Sequence, residues 1–208
     1  MLRRRAGIIL HPTSLPGDWR FGDLGGEAYR FVEFLAEAGQ TVWQVLPLGP
    51  THGDLSPYQA LSTHAGNPLM ISTQWLVDKG WLSAGERDEA LGDSENSADH
   101  VQQSLLASAW RGFQELAPAA DREALQGFVR DHDYWLEDFA LYRALRQESG
   151  QLPWTRWPRE LRDREPDALA DAGVRLSEAL DEVRFEQFVF FQQWMALKYH
   201  ANRHGVLI

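Results

Sequence analysis

The sequence contains no cysteine, which excludes disulfides, thiolate-bound zinc and thiol catalysis within it and fits a reducing compartment such as the cytoplasm. It is also short of positive charge. Lys and Arg number 20 against 30 Asp and Glu, a formal net charge of −10, so polyphosphate and anionic lipid are repelled. Neither nucleic acid nor a membrane is therefore an expected partner. The compact basic run Arg3-Arg4-Arg5 reads as a solvated terminal tail. Long apolar runs are missing too: Ala6 to Leu10 imitates a secretory leader, but His11-Pro12 ends it after about five residues, short of the ~7 to 15 a leader needs. No stretch approaches the ~18 apolar residues of a membrane span. Phosphate loops are absent, since Gly22, Gly25 and Gly26 lack the required spacing and no Gly-Lys-Ser/Thr occurs.

What is present is the material of a core: 44% of the 208 residues are hydrophobic, with 9 Trp among them. Ala6 to Leu10 is a short apolar run that predicts a strand buried on both faces. Between Gly25 and Ala38, Ala28, Phe31, Val32, Leu35 and Ala38 recur at helical spacing, with Gly39 placed to terminate the helix. Thr41 to Leu46, rich in β-branched and aromatic residues, predicts a second strand. Strand, helix, strand is a βαβ unit whose strands run parallel.

Beyond Asn67 the pattern turns helical. Ser83-Ala-Gly-Glu86 reads as a capping box, and helical periods recur near 101–116, 121–130 and 133–147. The segments 89–100 and 151–166 read as loops. Phe185, Phe188, Val189, Gln192, Met195, Ala196 and Tyr199 predict one face of a long helix closed by cations before Gly205, and Val206 to Ile208 start a third strand. Two strands and the start of a third do not close a barrel of about eight, so a continuation past Ile208 is expected.

The run Arg5-Ala-Gly-Ile-Ile-Leu-His-Pro-Thr-Ser-Leu-Pro-Gly17, with Phe21-Gly-Asp-Leu-Gly25, resembles the opening of amylomaltases and disproportionating enzymes, the 4-α-glucanotransferases of glycoside hydrolase family 77. Ala38 to Thr51 is similar to that family's second strand. Ser56-Pro-Tyr-Gln59 with Ser62, and Ala65-Gly-Asn-Pro-Leu69, are similar to the loop beyond it. The resemblance implies an α/β fold: the N-terminal part of a (β/α)₈ TIM barrel with a large inserted helical subdomain, truncated at the third strand. Residues 1–69 would form the first βαβ portion, 70–175 the insertion, and 176–208 a barrel helix and the start of the third strand. It implies transfer of α-1,4-glucan segments between maltodextrins, with glucose or glucan as acceptor, by a retaining mechanism without metal or organic cofactor. The family's nucleophile Asp, acid/base Glu and further Asp fall after the equivalent of Ile208. No catalytic residue is therefore expected here, and the chain alone should be inactive. The alternatives are part of an α-glucan hydrolase, or a short glycan- or protein-binding module.

Substrate contact is expected from Tyr58, whose phenol can stack on a sugar ring in a loop after the second strand. Ser56 can donate to a sugar hydroxyl, although Ser before Pro is ordinary turn chemistry. Asn67, before Pro68, holds either sugar or loop backbone. His11, at the end of the first strand, faces either substrate or a neighbouring loop. Of Trp43 and Gln44, which alternate across the second strand, Trp43 is expected in the core. His200 and His204 have the i, i+4 spacing of a zinc pair, but no third ligand is visible in the sequence, so they read as cationic helix termination.

Overall fold

A computed structural model of the chain describes residues 4–17, 21–92 and 95–208. Arg3 of the basic run and positions 93 and 94 of the expected 89–100 loop lie outside them. Strand β1 (Gly7–Ile9), helix α1 (Gly26–Glu37) and strand β2 (Val42–Gln44) form the expected βαβ unit, with β1 and β2 parallel and Ile8 opposite Trp43. The bonds Thr41 N–H to Ala6 O (2.9 Å) and Leu10 N–H to Gln44 O (3.0 Å) carry the pairing one step past each strand end. Val42 also bridges Leu207 in parallel, where the third strand was predicted.

The expectation that β1 is buried on both faces does not hold, since Ile9 is 64% exposed. Among the described residues β1 pairs with a strand on one side only, and one face of its pleat lacks a covering layer. Trp43 goes to the core as expected, its indole donating to Leu10 O at 2.8 Å and meeting Phe31 edge-on at 4.9 Å. Helix α1 buries Ala28, Val32 and Leu35 on one stripe and stops at Gly39, whose φ of +70° a side chain rarely adopts.

The chain divides into two compact units, residues 1–117 with 189–208, and 118–188. The first also holds helices α2 (Thr73–Asp78), α3 (Ala84–Gly92) and α4 (Ala98–Leu116). Ser83 caps α3 by accepting from Glu86 N–H, the serine half of the predicted capping box, and Ser97 caps α4 by accepting from His100 N–H at 3.3 Å. Helix therefore occupies much of the expected 89–100 loop. The pattern was obscured because Arg87, a charged residue, is buried on α3 and donates to Thr73 Oγ1 at 3.1 Å.

The second unit contains helices α5 (Ala119–Asp131), α6 (Asp133–Glu148), α7 (Arg159–Arg162), α8 (Pro166–Arg175) and the first part of α9 (Ser177–Arg203). In the expected 151–166 loop, Pro158 precedes the short α7, while Trp157 packs with Leu145 and Ala172 and donates to Leu152 O. Arg184 forks onto Glu137 and pairs with Asp181. The predicted inner face of α9 is corrected beyond Val189, because Met195 and Tyr199 are exposed. Phe190, Gln193, Leu197 and Ala201 turn inward instead. A buried glutamine on that stripe hid it from the apolar pattern.

Candidate functional site

A cavity of about 240 Å³ opens beyond the carboxyl ends of the two parallel strands, the side on which open and closed α/β sheets place ligands. Its walls include His11, Thr13, Phe21, Pro47, Leu55 and Asn67. The chain reaches it just after β1, at Phe21 before α1, and along the loop that follows β2 as far as its close at Asn67 and Leu69.

His11 follows β1 and opens a single 3₁₀ turn, Pro12–Ser14. Its Nδ1 accepts from Thr13 N–H at 3.4 Å and lies 2.7 Å from Thr13 Oγ1, while Nε2 lies 3.4 Å from Pro47 O. A carbonyl can only accept, so Nε2 carries the proton and Nδ1 is the acceptor. Burial pushes the imidazole below the ordinary histidine value, opposed by the Pro47 carbonyl, which favours the charged form. The ring is thus a neutral wall of the cavity that also ties the two post-strand loops together.

After β2 the chain forms a loop closed by an antiparallel bridge between Thr51 and Ala60. Within it Ser56 O accepts from Gln59 N–H at 3.1 Å, making Ser-Pro-Tyr-Gln a turn with Pro57 at its second position. Asp54 Oδ1 holds Ser56 N–H at 3.2 Å. Leu55, between them, sits at φ +57°, a left-handed conformation that is costly for a branched side chain. The turn presents Tyr58 with 74% of its surface exposed, next to Pro57 in the cavity wall.

The loop returns through Ser62, whose hydroxyl oxygen accepts from His64 and Ala65 N–H, both at 3.1 Å. Gly66 packs against Phe190 so closely that a β-carbon would lie 2.0 Å from the ring. Asn67 is buried: its N–H donates to Leu48 O at 2.8 Å and its Oδ1 accepts from Leu69 N–H at 3.0 Å. Two buried glutamines then fix the segment that follows. Gln102 on α4 donates to Pro68 O and Ile71 O, and Gln193 on α9 brackets the Ser72 backbone.

Of the four residues singled out in the sequence, the structure brings His11 and Asn67 into the cavity wall and places Ser56 and Tyr58 in the adjoining turn. Both ring nitrogens of His11 and the Asn67 carbonyl bond protein atoms, so their arrangement holds the loops in shape. Sequence reasoning missed Thr13, the partner of His11, and the apolar walls Phe21 and Leu69. For Thr13 the signal was its place two residues beyond the histidine that ends the first strand.

The family model for 4-alpha-glucanotransferase matches residues 10–208. The chain is 45% identical to the 4-alpha-glucanotransferase of Thermus thermophilus, over all of this chain and 42% of that protein. It is 40% identical to that of Aquifex aeolicus, over 99% of this chain and 42% of that protein. Among solved structures, an amylomaltase from Streptococcus agalactiae in complex with acarbose superposes with a TM-score of 0.89 at 33% identity, covering 98% of this chain and 42% of the other. The chain thus spans less than half the length of these relatives.

Proposed function

This chain belongs to the 4-alpha-glucanotransferase family, and from that membership we propose that it forms the substrate-side opening of an enzyme exchanging α-1,4-glucan segments between maltodextrins. Retention of configuration requires two displacements. A carboxylate attacks the anomeric carbon while a carboxylic acid protonates the departing glycosidic oxygen. The acceptor's sugar hydroxyl then attacks the same carbon, losing its proton to the group that first gave one, and the carboxylate leaves. In this reading those carboxylates lie outside residues 1–208, and neither metal nor organic cofactor takes part. Donors are maltodextrins, acceptors are glucose or glucan, and the compartment is the cytoplasm.

The residues of this chain bind and orient. Tyr58 offers an exposed ring to a pyranose, and Ser56 a hydroxyl beside it. His11 and Asn67 contact the sugar from the cavity wall and keep the loops in register for Tyr58. The βαβ portion, residues 1–69, is the start of a (β/α)₈ barrel, residues 70–175 are its inserted helical subdomain, and 176–208 return to it with a barrel helix and the third strand. The observation that carries the reading is the cavity at the carboxyl ends of two parallel strands, walled by the loops whose sequence matches the family.

The test is maltotriose incubated with the protein encoded by the uninterrupted reading frame that contains these residues. Glucose should appear together with maltodextrins longer than the substrate. Glucose and maltose without longer products would assign the enzyme to hydrolysis and overturn the proposal. Residues 1–208 alone should give neither.

A further inference from the structure

Sequence spacing alone offers a histidine pair, His200 in the last turn of α9 and His204 one residue past its end, with no third partner. The fold brings one. Glu33 on α1 meets both, and one ligand atom from each of the three lies within 4.8 Å of the others. The i, i+4 spacing, with His204 N–H still bonded to His200 O at 3.2 Å, puts both imidazoles on one side of the helix end, with ring centroids 4.2 Å apart. His200 Nε2 is buried, makes no hydrogen bond, and lies 3.5 Å from Glu33 Oε1. The His200 ring is held in place by Tyr29, 4.8 Å away between centroids.

The second histidine is oriented in another way. His204 Nδ1 donates to His200 O at 2.9 Å, which leaves its Nε2 lone pair free. A backbone carbonyl on the non-ligating nitrogen is the arrangement that fixes tautomer and ring angle in metal-binding histidines. With ligand bonds of about 2.0 to 2.1 Å, neighbouring donors of a tetrahedral zinc ion stand roughly 3.4 Å apart. The His200–Glu33 pair already has that separation. The remaining closure is about 1.5 Å at most, within reach of small torsional adjustments of the exposed Glu33 and His204 side chains that keep the His204 Nδ1 bond.

We propose that Glu33, His200 and His204 bind one divalent transition-metal ion of the zinc class, with water in the fourth position. Two imidazoles and one carboxylate suit Zn²⁺, Ni²⁺ or Cu²⁺, whereas Mg²⁺ and Ca²⁺ prefer all-oxygen sites. The ion clips α1, the crossover between β1 and β2, to the end of α9, three residues before the Leu207 bridge to β2. Its role is structural: binding to the folded state alone raises stability by mass action.

The test is calorimetric titration of the full-length enzyme that contains these residues with zinc chloride, and a parallel titration with cobalt chloride followed by visible absorption. His204→Gln and Glu33→Gln change exposed side chains and should leave the far-UV spectrum unaltered. The expected result is saturation at one ion per chain, tetrahedral cobalt bands, and an affinity weakened roughly tenfold or more in each variant. His100→Gln, on α4, should bind as the unsubstituted chain does. Absence of saturable uptake, or uptake unchanged in both His204→Gln and Glu33→Gln, would overturn the assignment.

Discussion

Replacing Tyr58 by alanine separates a binding role from a packing role, because the structure sets the two effects far apart. Full burial of a large side chain stabilises by about 1.5 to 3 kcal/mol, and this ring keeps 74% of its surface exposed. The loss of stability should therefore be near 0.5 kcal/mol, a shift of roughly 2 °C or less for a chain of this size. A ring stacked on a pyranose with one hydrogen bond contributes about 1 to 3 kcal/mol. If it acts near the reacting sugar, part of that appears only in the transition state. Tyr58→Ala in the full-length enzyme should then lower kcat/KM for maltotriose by roughly 10- to 100-fold, while Tyr58→Phe loses only the hydroxyl share, about fivefold. The assay pairs a thermal midpoint with disproportionation kinetics well below it. Unchanged kinetics in Tyr58→Ala would refute the reasoning and remove the ring from the site.

Gln193→Leu should destabilise the chain by about 2 to 4 kcal/mol, since the Ser72 N–H and C=O it brackets at 2.8 and 3.1 Å lose their partner in a buried setting. A melting temperature within about 1 °C of the original would contradict this. His11 should make stability depend on pH in mildly acidic solution: its folded-state value lies below the ordinary 6.5, so the unfolded chain takes up the proton first. Above 6.5 both states are neutral and nothing is lost; as pH falls from there through the folded-state value, the protein becomes progressively less stable. Urea midpoints measured across that range should show the decline, and His11→Asn should flatten that part of the curve. An identical pH profile in the variant would count against the assignment.

The local elements were legible because each is written in a local pattern. Helix α1 was predicted over 25–38 and forms Gly26–Glu37, with Gly39 ending it as expected. Helices α4, α5 and α6 begin and end within about three residues of their apolar periods, and β2 keeps Trp43 inside. The family, too, was visible in the sequence of the post-strand loops, whose turn residues carry its motifs.

What the sequence by itself did not determine are the polar residues that turn inward. Arg87 on α3, Gln102 on α4 and Gln193 on α9 are all buried, each bonded to a group on another segment; Gln193 and Ser72 are 121 residues apart. Periodicity records which side of an element is apolar, so an arginine or glutamine on the inner stripe reads as surface and shifts the apparent face, as it did for α9. Only the tertiary structure decides that such a group will find its partner, because the favourable bond exists only once distant segments meet and water has left. Glu33 beside His200 and His204 is the same case: two ligands four residues apart at the end of one helix are visible in the sequence spacing, while the third arrives through packing.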